Sequence, residues 1–362
     1  MKNLKINIIF EFHEGPWGGG NQFLNALKKN LEKRGLYETD PTKANCFIFN
    51  SHHYINKVLK IKMNNQGKIF IHRIDGPTYL TKKAQPKLDH LIYDLNRYIA
   101  DGTIFQSFWS KRENYSYGLS NTSYTKVINN APDNNIFFPL ENKMIKNWKN
   151  KKCNIITSSW STNMDKGFKL YQYLDNHLNF NEYSMIFVGN SPISFKNIKH
   201  ISPVNSHEMA NLLRESDIYV TGALHEACSN SLLEALNCGL PCIAINNASN
   251  LEILKDRGEV FETFEECLEK IQIVKNNYEK YRKKIVISDF EETSNRYYSF
   301  VNYIYSLQSS SRIINKKLRL FDYYKIIIKS LFLHILTINF LFYEFLRIIS
   351  DLKVKISSIP KK

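Results

Sequence analysis

Short β-branched runs alternate with helical stretches along this chain, and the alternation occurs twice. "KINIIFEF", "NQFLNALKKNLEKRG", "CFIFNS", "KIFIHRIDG", "GTIFQS" and "KVINNA" form the first series. A Lys-rich link, "ENKMIKNWKNKK", precedes the second: "CNIITSSW", "MIFVGN", "KHISPV", "DIYVTGA" and "PCIAIN". Strands separated by helices pair in parallel, because a parallel partner is reached only by a long crossover. The sheet is then covered on both faces, and ligands enter crevices beyond the carboxyl ends of its strands. The pattern predicts two α/β halves joined near residues 140–152, with a site in the cleft between them.

At 362 residues the chain exceeds what one core usually supports, and 43% hydrophobic with 13% aromatic residues is ample for two. The opening "MKNLKINIIFEFHEGPWGGG" reads as a first strand rather than a signal peptide. Its apolar run is short, contains Asn7 and passes into acidic and Gly-rich residues. Six scattered cysteines without a C-x-x-C pair suggest packing residues in a reducing cytoplasm, with no metal or disulfide framework. The formal charge of +15 raises nucleic-acid binding as a function. Residues 311–362 alone carry eleven Lys and Arg against three acids, interleaved with apolar residues rather than set apart as a basic patch. That distribution argues against nucleic acid.

Four stretches place polar residues where strands end. In "EGPWGGGNQF", Gly18, Gly19 and Gly20 open a helix, so backbone can approach a ligand and helix amides can meet an anion; a tight turn without a ligand is the plainer alternative. No G-x-G-x-x-G fingerprint is present. "KIFIHRIDGP" sets His72, Arg73 and Asp75 before a Gly-Pro turn, again either a site or a surface turn. Lys166 precedes Gly167 at a loop-to-helix junction, within reach of a phosphate or merely solvated. "HEACSNSLLEALNCGLP" carries Glu226 and Glu234, with seven residues between them, across the start of a helix ended by Gly239. Ser231 and Glu234 fit a capping box, which would give Glu234 a purely structural role. The box explains neither Glu226 nor a helix start with amides of Asn230 and Ser231 open to a diphosphate.

These stretches resemble the glycosyltransferase family 4 type of GT-B enzymes over nearly all of residues 4–300. "HEACSNSLLEALNCGLPCIA" looks like their Glu-seven-residues-Glu signature, and "DKGF", "ADGTIFQSFWSK", "VINNAPDNNIFFP" and "LLRESDIYV" follow their other landmarks in order. The resemblance implies an α/β GT-B fold of two Rossmann-like domains, residues 1–148 on the acceptor side and 149–288 for the donor. Segment 289–311 would cross back to the first domain. It further implies a retaining glycosyltransferase using a nucleotide-diphosphate sugar, UDP- or GDP-linked, with no cofactor. Glu234 would bind ribose and Lys166 the diphosphate. Asn230 and Ser231 would present amides, and Glu226 would contact the donor sugar. His72 would lie near the transferred sugar, and Gly19 and Gly20 would face donor or acceptor. No D-x-D motif is present, so no metal is expected. Two departures stand out: Ala227 occupies a usual glycine position, and "SSWS" replaces the arginine that commonly partners the lysine. They support a rival reading, a catalytically weak or inactive glycosyltransferase-like binding module. An epimerase on the same fold lacks visible hallmarks.

Residues 312–362 form a basic tail. Within 320–349 the polar residues, from Asp322, Lys325 and Lys329 to Glu344 and Arg347, fall along one helical stripe. A spanning helix would bury those charges. An in-plane helix on anionic lipid fits the stripe and flanking lysines, and docking on the protein's own body is the other option. The first would place the enzyme peripherally on the cytoplasmic membrane face, suited to a glycan or lipid-linked acceptor in surface polysaccharide biosynthesis.

Overall fold

A computed structural model describes residues 4–13, 18–82, 86–120, 124–140 and 151–333, and contains two parallel sheets. The first is built from β1 (Ile6–Ile9), β2 (Cys46–Asn50), β3 (Ile69–Ile74), β4 (Gly102–Phe105) and β5 (Thr125–Val127), side by side in that order. Helices α1 (Gly19–Lys33), α2 (Ile55–Asn64), α3 (Thr78–Lys82), α4 (Pro86–Ile99) and α5 (Phe108–Ser116) connect them. The linker expected near 140–152 lies mostly outside the described residues.

Five parallel strands in chain order, each crossover right-handed, would put every helix on one face. Instead, α1 packs with Ile48 and Ile71 on one face, while α2 and α4 pack with Phe47, Phe49 and Phe70 on the other. The reason is a single-residue bridge: after α1 the chain touches the outer edge of β1 at Tyr37 before doubling back to β2. The winding direction therefore reverses between β1 and β2, and their carboxyl ends form the switch point of this sheet.

The second sheet has β6 (Cys153–Ser159), β7 (Tyr183–Gly189), β8 (Lys199–Ile201), β9 (Ile218–Thr221), β10 (Cys242–Ile245) and β11 (Gly258–Phe261), in the order β11-β10-β9-β6-β7-β8. Helices α6 (Phe168–His177) and α10 (Phe264–Asn276) cover one face; α7 (Ser206–Glu215) and α8 (Asn230–Asn237) cover the other. Here the switch point falls between β6 and β9. Short α9 (Asn250–Leu254) and α11 (Tyr278–Lys283) follow, and α12 (Phe290–Ser309) then packs Tyr297, Val301 and Ile304 against α1 and the first sheet. All six cysteines are buried free thiols.

The tail is helical over residues 320–333; the remainder of the expected helix lies outside the described residues. Leu318 and Ile326 are buried against α2 and α4. Among the described residues, no helix is long and apolar enough to cross a membrane.

Candidate active site

Both switch points open into one cleft of about 530 Å³. The first sheet contributes Phe10, His13, Asn50 and His53, with Gly18, Gly19 and Gly20 at the start of α1. The second contributes Ser158 to Ser161 at the end of β6 and just beyond it, with Lys166, and Ala223, His225 to Ser231 and Glu234 after β9. The sequence elements that converge here are those whose strands flank the reversals.

The loop after β6 is tied to the loop after β9 by a backbone bridge between Lys166 and Ala223, and Leu224 N donates to Asp165 O at 2.8 Å. Gly167 caps α6 at φ +96°, where a Cβ would meet the Tyr171 hydroxyl at 2.7 Å, so the Lys166-Gly167 step turns sharply into the helix. Lys166 Nζ donates to Glu226 Oε1 at 2.5 Å. Both side chains are partly exposed, at 32% and 22%. The pair neutralises itself while no anion occupies the cleft.

Helix α8 starts two residues earlier than a Ser231–Glu234 capping box requires. Ser229 is the N-cap, and its Oγ accepts from Leu232 N at 3.4 Å. Glu234 therefore sits on the fifth helical residue, beyond the reach of a box, and lines the cleft. Enclosure without a cationic partner pushes its carboxyl up to about 8. Asn230 and Ser231 are the first two helical residues, whose N–H groups have no intrahelical acceptor.

The glycine turn meets this helix directly. A Cβ on Gly19 would lie 1.9 Å from Asn230 Nδ2, so only glycine lets the two domains close this far. Asn230 Oδ1 accepts from Asn130 Nδ2 at 2.8 Å, and Asn130 Oδ1 accepts from Arg73 Nη2 at 2.8 Å. Arg73 is fully buried; it also donates to the Tyr297 hydroxyl at 3.1 Å, Asn50 Oδ1 at 2.5 Å and Asp75 Oδ1 at 3.1 Å. One guanidinium thus binds β2, β3, the end of β5 and α12 together, and reaches α8 through Asn130. Beside it, Asn129 and the amides of Phe108 and Trp109 hold the Glu252 carboxylate across the domain boundary. Arg73→Met would strand several buried acceptors. We expect it to cost about 3–5 kcal/mol in urea unfolding and to weaken nucleotide binding; an unchanged midpoint would contradict this.

His72 is not in the cleft. The strand runs on to Ile74, so alternation places His72 on the face of Phe49, beneath α2 and α4. Its ring stacks on Phe49 at 4.2 Å, with Nε2 2.9 Å from Ser51 O and Nδ1 3.2 Å from Asn96 Nδ2. Burial pushes its pKa down to about 3, so it stays neutral and serves as a core residue. The sequence put His72 at a strand's carboxyl end; the structure keeps it within β3, with its side chain on the core face. The histidines that do line the cleft are His13, His53 and His225. His225 has φ +58°, rare for a residue with a Cβ, and its amide donates to Asn247 Oδ1 at 2.7 Å. Sequence reasoning missed His225, Asn130 and Ser229; the asparagine pair following the "KVI" strand was the visible signal for Asn130.

Residues 195–287 match the glycosyl transferases group 1 family. No curated protein matches the chain. Solved structures similar in fold include sucrose-phosphate synthase from Thermosynechococcus elongatus (TM-score 0.63, 10% identity, covering 84% of this chain and 99% of that one). The catalytic domain of starch synthase IV from Arabidopsis thaliana, bound to ADP and acarbose, gives a TM-score of 0.63 at 11% identity, covering 84% and 99%. HepE from Anabaena in complex with UDP-glucose gives 0.60 at 13%, covering 85% and 100%. The chain has the GT-B fold, two parallel-sheet α/β domains, and its residues 195–287 carry a group 1 glycosyltransferase domain.

Proposed function

We propose that this protein is a retaining glycosyltransferase that moves a sugar from a nucleoside-diphosphate donor to a glycan or lipid-linked acceptor in surface glycoconjugate synthesis. The observation that carries the reading is the meeting of Lys166, Glu226, Glu234 and the α8 N-terminus in one cleft. Glu234 accepts the two ribose hydroxyls. Lys166 and the Asn230 and Ser231 amides hold the diphosphate, Glu226 holds donor-sugar hydroxyls, and Gly19 and Gly20 form the opposite wall. The carbon–oxygen bond to the diphosphate breaks with its electron pair moving to the phosphate oxygen, and the acceptor hydroxyl oxygen forms the new bond on the same face while its proton passes to that departing diphosphate oxygen. Charge growing on the diphosphate meets a cation and helix amides, which is electrostatic catalysis and needs no metal. UDP-sugars are the first donors to try, since HepE is similar in fold and its structure holds UDP-glucose. We further propose that the protein works peripherally on the cytoplasmic membrane face through its basic tail.

The test is donor turnover by mass spectrometry, followed by NMR of the anomeric configuration of the product, with and without EDTA. Release of nucleoside diphosphate with retention, insensitive to EDTA, is expected. Binding without turnover of any donor would favour the binding-module reading, for which Ala227 and the absent arginine after β6 speak.

A further inference from the structure

The tail helix docks the opposite way round from an ordinary surface helix. At about 100° per residue, Asp322, Tyr323, Ile326, Lys329, Ser330 and Leu333 share one side. That side faces the first domain: Ile326 is fully buried, Asp322 is 3% exposed, and Lys329 pairs with Asp94 of α4. Lys325 Nζ reaches the Tyr98 hydroxyl at 3.4 Å. The root is fixed as well. Lys316 N donates to Asp101 Oδ1 at 2.9 Å, and Leu318 exchanges two hydrogen bonds with Gln66, at 2.8 and 2.9 Å. The polar stripe is therefore turned toward the protein.

The opposite side, an arc of about 120°, holds Leu320, Phe321, Tyr324, Ile328, Leu331 and Phe332. These are between 51% and 75% exposed, and the arc contains no charged residue. Together they present on the order of 700 Å² of side-chain surface, more than the largest apolar patch of a typical monomer. Cations stand at both ends: Lys317 is exposed at the start, where Arg319 is held by Asp322 at 2.7 Å, and Lys87 Nζ lies 5.2 Å from the Phe332 ring centre.

We infer that this outward arc is the surface by which the protein lies on an anionic bilayer, with helix 320–333 as a layer between lipid and the α2–α4 face of the first domain. The apolar arc enters the acyl boundary, and the cations at its ends meet lipid phosphates. A second copy is a poorer occupant, because two-fold pairing of the arc would bring the same cations together. This deepens the membrane association proposed above and is independent of the transferase reading.

Flotation of the full chain with vesicles of phosphatidylcholine, with and without phosphatidylglycerol, tests it. Wild type should float with the anionic vesicles, and Phe321→Asp with Ile328→Asp should reduce partitioning more than tenfold at an unchanged melting temperature. The surface assignment is overturned if the double variant floats like wild type, which would leave the membrane reading standing on other residues. Wild type failing to float on any vesicle overturns both. Equal flotation on neutral vesicles overturns the anionic partner, and a wild-type dimer that the double variant dissociates assigns the arc to a second copy instead.

Discussion

Glu234→Gln is expected to abolish stabilisation by the cognate nucleotide while making the empty protein more stable at pH 9. The two effects have one cause. The Glu234 carboxyl titrates near 4.5 when the chain is unfolded and near 8 in the empty cleft, because burial without a cation disfavours its charge. A raised carboxyl stabilises the fold below pH 4.5, and that contribution is lost as pH climbs toward 8. Glutamine removes the penalty. The full shift would correspond to about 4–5 kcal/mol, and water in the open cleft reduces this to on the order of 2–3 kcal/mol. The variant and wild type should melt together at pH 5 and diverge at pH 9.

Ligand binding runs through the same proton. In the complex proposed above, ribose hydroxyls would donate to the charged carboxylate, so binding would favour ionisation and release a proton below pH 8. Nucleotide affinity should rise with pH by up to about tenfold per unit and level off above 8. A flat profile, together with an unchanged affinity in Glu234→Gln, would return Glu234 to a structural role.

Lys166→Ala is the second large effect. In the empty protein the Lys166–Glu226 pair is partly exposed and contributes roughly 0–1 kcal/mol to folding, so the melting temperature should barely move. In the proposed transition state Lys166 would face charge developing on the leaving diphosphate. Its removal should lower kcat by about 10²–10³-fold, with a smaller change in KM. Lys166→Arg should recover part of the rate. A loss confined to KM would mean that the lysine only binds donor.

Much of this architecture was legible in the sequence because period-2 and period-3.6 patterning are local properties. The strands β1 to β10 and the two glutamates astride the start of α8 could be placed from the sequence, whereas β11 (Gly258–Phe261) was not. What escaped depends on register. His72 looked like an end-of-strand residue until the strand proved to run to Ile74, which turned it into the core. The sequence put the cap of α8 at Ser231; the structure puts it at Ser229, and that shift takes Glu234 out of a capping box. In the tail the stripe was legible, and over residues 320–333 the packed body shows which groups meet it and its root: Asp94, Tyr98 and Asp101. Likewise, Arg73 becomes an organising residue only when β2, β5 and α12 are brought together in space.

The central claim is that this cleft holds a nucleoside-diphosphate sugar. The most direct measurement is the melting temperature of the full chain with UDP-, GDP-, ADP- and CMP-linked sugars, each with and without EDTA. The account predicts that one nucleotide raises it by several degrees, as about 2.7 kcal/mol at a hundredfold excess over Kd would require, with or without chelator. The same nucleotide should leave Glu234→Gln unmoved. No shift with any donor, or a shift that Glu234→Gln preserves, would contradict it.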